Sequence, residues 1–274
     1  MKFLYLLLLS LLSLTLQAQS TAPDPKEVLL QMIRQINHTK SLSYTFKKKE
    51  RVHNGFATAE QDIQLLTQPM KAHIYIHKPN KGTVAIWSPA ENNGDVQVTP
   101  GWLPFLTVNL SPQSAEIRKN NHHSIHKLGF EFLATIINHS LNKQTTAIQY
   151  EGSYLVNNRA CHKVMIDFKD YQYRSYTIKP NENLVQIADK FRINEFMILL
   201  NNPHIKGFHE VKAGQVIVIP SEYAKRTELY IDKENLLPIV QRMYDEKGLF
   251  EQYEFINLQY NPSLNDAIFV VAAR

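Results

Sequence analysis

Apolar positions in this chain follow two spacings, and the switches between them mark its elements. Val28, Leu29, Met32, Ile33 and Ile36 recur at helical spacing. Asp24-Pro25 just before them supplies an N-cap and a first-turn proline, so a helix is predicted from there to about Asn37-His38. From Leu42 the period drops to two. Strands are predicted from Ser43-Tyr44-Thr45-Phe46, at Ile63 to Leu66, at His73 to His77 and at Thr83 to Trp87. Turn residues separate them at Asn54-Gly55, Gln68-Pro69, Pro79-Asn80 and Asn92-Asn93-Gly94. Trp102 to Leu110 is an apolar stretch holding Pro104, and Trp87, Trp102 and Phe105 are read as core-filling aromatics. Ser124 to Leu141 reads as a second helix, with Leu128, Phe132, Ile136 and Ile137 on one side. Strands return at Thr146–Val156 and Ala160–Phe168 around an Asn157-Asn158 turn, then at Thr227–Asp232, Ile239–Asp245 and Leu249–Leu258, the last hairpin closed by Glu246-Lys247-Gly248. Such a meander excludes an alternating βαβ chain.

Between the two late groups of strands the pattern changes again. Tyr176 to Pro180 reads as a short strand. Leu184, Ile187, Ala188 and Phe191 make one helix face, and Phe196, Leu199 and Leu200 make another that ends at Asn201-Asn202-Pro203. Gly214 to Pro220 closes with a strand. Because the sheet pattern resumes afterwards, this βααβ unit reads as an insertion.

The N-terminus predicts export. Met1-Lys2 precedes an apolar run from Phe3 to Leu16, and Leu16-Gln17-Ala18 offers a small-residue cleavage point before Gln19. The run is short for a span, which needs about 20 apolar residues. Residues 1–18 are thus expected to be a signal peptide, with the mature chain soluble in the periplasm or cell envelope. The formal net charge of +5 is spread along the chain rather than gathered in a stripe, which argues against nucleic-acid binding. The single cysteine, Cys161, cannot form an internal disulfide and is expected to be structural.

The inserted unit resembles the LysM (lysin motif) family. The residues that carry the likeness are the opening Tyr176-Thr177-Ile178-Lys179-Pro180, the Leu184/Ile187-Ala188/Phe191 helix, Asn202-Pro203 and the Gly214-Gln215-Val216-Ile217-Val218-Ile219-Pro220 close. The resemblance implies binding to N-acetylglucosamine-containing glycans such as peptidoglycan. The groove would lie between the loops at Asn181, Glu182, Asn183 and Leu184 and at Asn201, Asn202, Pro203, His204 and Ile205. The chain departs from the family in the first loop, where Asn181-Glu182-Asn183 replaces Gly-Asp-Ser or Gly-Asp-Thr. Asn tolerates the left-handed conformation that Gly would adopt there.

The remainder resembles a family of secreted bacterial proteins of uncharacterised function with a fold similar to the lipoprotein carriers LolA and LolB. The likeness rests on Ser41 to Phe46 with Glu50-Arg51, on Lys81-Gly82-Thr83 and Asn92-Asn93-Gly94, on the run from Arg118 to His123, and on Tyr244 to Leu249. It implies an α+β fold: a curved antiparallel half-barrel with covering helices around an apolar cavity, whose expected ligand is a lipid or lipoprotein. The expected domains are 24–173 with 222–262 for the half-barrel and 174–221 for the LysM module.

Chemistry is sparse. His122 and His126 would share a helix face at i, i+4 spacing, but the second position lacks a Glu and no third ligand stands out, so no metal site is expected. Glu50 and Glu60 read as solvated strand residues, and no nucleophile elbow or phosphate loop occurs. A non-enzymatic envelope binding protein without a cofactor is expected. The alternative is a cell-wall hydrolase or accessory factor with an unrecognised site.

Overall fold

The computed structural model describes residues 22–270, so the expected signal peptide lies outside the described residues. Helix α1 (Pro25–Asn37) starts where the sequence signals it, with the Asp24 side chain accepting from the Lys26 amide and Pro25 in the first turn. Its buried face, Val28, Leu29, Met32 and Ile36, joins the main core. Six strands follow: β1 (Ser41–Val52), β2 (Gly55–Thr67), β3 (Met70–Lys78), β4 (Val84–Trp87), β5 (Val96–Thr99) and β6 (Val108–Leu110). Helices α2 (Ala115–Arg118) and α3 (Glu131–Ser140) lead to β7 (Thr146–Val156) and β8 (Arg159–Phe168). Then come β9 (Tyr173–Thr177), α4 (Leu184–Phe191), α5 (Glu195–Asn201) and β10 (Val216–Pro220), and finally β11 (Arg226–Asp232), β12 (Pro238–Asp245) and β13 (Gly248–Tyr260).

Eleven strands form one antiparallel sheet in the order β6-β5-β4-β3-β2-β1-β13-β12-β11-β8-β7, and β9 pairs only with β10. So wide a twisted sheet has to curl. Register shifts at Ser43/Thr45, Glu60/Gln61, Tyr150/Gly152, Tyr230/Ile231 and Met243/Tyr244 supply the local bends. The sheet stays unclosed, and α1 and α3 pack against its inner face through the main core. This is the curved half-barrel with covering helices that the sequence predicts. No helix among the described residues is long and apolar enough to cross a membrane.

Two expectations are corrected. The predicted helix from Ser124 to Leu141 is broken: a 3-10 turn covers Ile125–Lys127, and α3 begins only at Glu131. Gly129, at φ +78°, makes the break, and a Cβ there would lie 2.9 Å from Leu65 Cδ2. Trp102 and Phe105 do not fill the core but stand 81% and 75% exposed. Gly101 seats its loop directly on Lys81 and Gly82, leaving no room for even a Cβ beneath it. Trp87 is buried as expected, its indole N–H donating to the Gly94 carbonyl.

Candidate functional site

Between the sheet and α3 lies a cavity of about 730 Å³, within the usual range for ligand pockets. Its walls are apolar: Tyr44, Phe46, Ile74, Val98, Phe132 and Ile136 are among them. Its floor is polar, and strand geometry explains why. Along β1 the residues Leu42, Tyr44, Phe46, Lys48 and Glu50 share the inward face. Along β13 the same face carries Glu251, Tyr253 and Phe255. The register sets Phe46 opposite Phe255, Lys48 opposite Tyr253 and Glu50 opposite Glu251. The inner surface thus passes from aromatic to charged along the strands, and two buried carboxylates face each other across a strand pair.

Like charges in that position repel, so the floor must compensate. Tyr253 Oη reaches both carboxylates, at 2.7 Å from Glu50 Oε1 and 3.0 Å from Glu251 Oε2. Lys48 Nζ donates to Glu50 Oε2 at 2.5 Å and also to Asn121 Oδ1. Tyr223 Oη donates to Glu251 Oε1 at 2.5 Å, and His122 Nδ1 sits 2.9 Å from Glu251 Oε2. Burial alone would raise both carboxyl pKa values. At Glu50 Lys48, by its charge and hydrogen bond, together with the neighbouring His122 and His123 rings, and at Glu251 the neighbouring His123 and His122 rings, outweigh it and hold both below the usual carboxylate range.

His122 is fully buried, its ring stacked between Phe196 at 4.7 Å and Phe250 at 4.2 Å. It therefore does not share a helix face with His126, which stands exposed against Trp87 in a different turn. Glu50 is only 2% exposed, which corrects the solvated reading. No group of three or more His, Cys, Asp or Glu among the described residues could hold a metal. Cys161 is buried without a disulfide partner, and burial, helped by Asp232, pushes its thiol up to about 11.

The small module closes the floor from below. Glu195, at the first turn of α5, accepts from Arg118 at 2.9 Å and from Lys127 at 3.1 Å, and Arg118 and Glu195 are each 1% exposed. Phe208 lies 4.5 Å beneath the Arg118 guanidinium. Asn194, the N-cap of α5, also donates to Tyr223 Oη at 3.2 Å. This cluster does not stand out in the sequence because its members are scattered singly. The available signal was parity: at period two, Lys48 and Glu50 continue the face begun by Leu42, Tyr44 and Phe46.

The residues expected to bind glycan fall into two groups. Asn181, Pro203 and His204 are exposed, and Asn181 has the left-handed φ of +63°. Asn183 is half-buried and caps α4 in a reciprocal box with Gln186. Leu184 and Ile205 are buried in the module's own core. Asn202 is committed to Ile198 O, Val218 O and Val218 N, and Asn201 bonds Met197 O and Lys247 Nζ. Glu182 accepts from Tyr176 Oη, the Lys179 amide and Lys190 Nζ, and the Lys190 and Tyr176 bonds bring its pKa down to about 2.

The fold is similar to that of the lipoprotein LppX from Mycobacterium tuberculosis, at 12% identity over 88% of this chain and 97% of that one, with a TM-score of 0.44. A chain of the Pseudomonas aeruginosa MucA/MucB complex is similar at 13% identity over 91% of this chain and 62% of that one, TM-score 0.43. A LolA superfamily protein from Nitrosomonas europaea is similar at 11% identity over 91% and 99%, TM-score 0.32. No curated protein matches the sequence. Residues 176–220 match the LysM domain, and residues 39–181 match the family described as a protein of unknown function, DUF1571. That second match takes in more than half of the chain, and the protein accordingly belongs to the DUF1571 family and carries a LysM domain.

Proposed function

We propose that this is a non-enzymatic cell-envelope binding protein. Its half-barrel (24–173 with 222–262) holds an apolar ligand, a lipid or the acyl chains of a lipoprotein, while its LysM module (174–221) holds peptidoglycan or a related N-acetylglucosamine glycan. Export through residues 1–18 would deliver it to the periplasm or envelope. The observation that carries the reading is the cavity, about 730 Å³ with apolar walls, enclosed between a curved sheet and a helix. The two opposed carboxylates favour binding over hydrolysis. Both are hydrogen-bonded as anions, whereas glycoside hydrolysis needs one carboxyl that keeps its proton for the leaving group.

The half-barrel is tested by organic extraction of the purified full chain followed by mass spectrometry. Stoichiometric lipid is expected, and an empty protein that also fails to take up an uncharged hydrophobic dye overturns the reading. The module is tested by sedimentation with insoluble peptidoglycan. Binding should be weak, because a shallow polar groove buries few contacts. His204→Ala should reduce it, and Asn181→Gly, which keeps the left-handed turn while removing the side chain from the groove, should increase it. Equal sedimentation of all three proteins at background level would leave the module as a packing element only.

A further inference from the structure

We infer that the cavity floor is a head-group site. It selects an acyl-chain amphiphile whose head is uncharged and carries a proton to donate: a hydroxyl, an amide N–H or an undissociated carboxyl. The acceptor is His123 Nδ1. This inference rests on the half-barrel being an apolar-ligand cavity and adds which ligands it prefers.

Four buried side-chain polar atoms lack a partner among the described residues: Arg51 Nε, Arg118 Nε, Thr146 Oγ1 and His123 Nδ1. Only His123 lines the cavity. Buried polar atoms in native proteins are almost always paired, and an orphan in a ligand cavity points to a partner supplied by the ligand. The state of the ring follows from its neighbour. Tyr223 Oη gives its single proton to Glu251 Oε1 at 2.5 Å, so it can only accept from His123 Nε2 at 3.0 Å and from Asn194 Nδ2 at 3.2 Å. Nε2 therefore carries a ring proton, and in the neutral ring Nδ1 is left with the lone pair.

The charges on the floor are also paired already. Lys48 stands against Glu50. His122 faces acceptors at both nitrogens, Glu251 Oε2 at 2.9 Å and the Arg51 carbonyl at 2.8 Å, and satisfies both only with a proton on each. That cation offsets Glu251. Lys127 is already paired with Glu195 and Asp189. The floor is thus balanced before any ligand enters, and a head with a net charge would bring an unpaired charge into a buried site. A phosphate ester is disfavoured on this ground. A fatty acid fits by arriving with its own proton.

The test uses the full chain after delipidation, with Nile red as an uncharged reporter of the apolar walls. Monoolein should displace Nile red, and dioleoyl phosphatidic acid should do so more weakly. In His123→Phe, which keeps a ring beside Phe132 and Tyr223, Nile red should bind as before while monoolein weakens about fivefold, the loss of one buried hydrogen bond. A second readout needs no variant. In the unsubstituted protein, one histidine Nδ1 resonance in a nitrogen-15 spectrum should shift on adding monoolein and stay fixed on adding Nile red. Equal monoolein binding by both proteins with no such shift overturns the head-group site. So does tighter binding of phosphatidic acid than of monoolein. Failure of Nile red to bind the unsubstituted protein sinks the apolar-cavity reading, and this inference with it.

Discussion

Arg118 and Glu195 are both buried to the limit of solvent contact, and they come from opposite sides of the boundary between half-barrel and module. A buried ion pair adds little over a hydrophobic pair of the same shape, but removing one partner strands the other charge. At Glu195 the stranded charge would be Arg118, while Lys127 would keep Asp189. Glu195→Gln should therefore cost about 3 kcal/mol in urea unfolding. The double variant Arg118→Met with Glu195→Leu should recover part of it, and a single-variant loss under about 1 kcal/mol would show that solvent reaches the pair. Glu182 makes a different prediction. Its pKa in the folded chain, about 2, lies below its unfolded value, so its contribution is fully present above the unfolded pKa and is lost as pH falls toward 2. The difference in melting temperature between the unsubstituted protein and Glu182→Gln should be constant from pH 7 to about 5 and should shrink between about pH 4.5 and 2.5. A difference that does not change across that range would mean that the bonds to Tyr176 and Lys190 do not act through the carboxylate's charge.

Hairpins and caps are the elements where local chemistry decides the outcome. Asn157 and Asn158 take φ of +50° and +61°, the paired left-handed geometry that joins β7 to β8, and Asn183 with Gln186 forms the box that starts α4. These were readable because each depends on a few adjacent residues. The segment between Ser124 and Leu141 was not, although its apolar spacing is helical. Gly129 interrupts it at φ +78°, and a single glycine in a helical pattern does not announce whether it bends the chain or is merely tolerated. Gly129→Ala should test the break. Strain at positive φ and contact with Leu65 Cδ2 at 2.9 Å should together lower stability by about 1–3 kcal/mol. An unchanged urea midpoint would mean that the helix can extend backwards to absorb the alanine. The floor cluster was hidden for another reason. Glu50 and Glu251 are 201 residues apart, and only the β1–β13 register brings them opposite. Charged residues at inward positions of a strand resemble surface residues until the partner strand is known.

At the scale of the molecule, the module sits on the half-barrel at a single entry and exit. The Phe168 amide bonds Lys225 O, and Gln172 and Ser221 bond each other through the Ser221 amide and its hydroxyl. Strands β8 and β11 therefore pair directly, with the module looped out between them. That topology was legible from the return of strand periodicity at Thr227. The closeness of the packing was not, since Glu195, Phe196 and Asn194 show their role only once they meet Arg118, His122 and Tyr223. The two facts pull a deletion in opposite directions. Joining the chain across 174–221 with a short linker closes little entropy, because the ends already meet. It also uncovers the face of the His122 ring that Phe196 covers, leaves Arg118 and Lys127 without Glu195 and takes Asn194 from Tyr223. The deleted chain should keep its strand signal in circular dichroism and unfold cooperatively, but at a markedly lower urea midpoint. Adding Arg118→Met should raise that midpoint, because it removes the stranded charge rather than restoring a contact. A midpoint equal to that of the full chain would show that the interface contributes nothing. Loss of any cooperative transition, in both deletion variants, would show that the module is part of the core that folds the sheet.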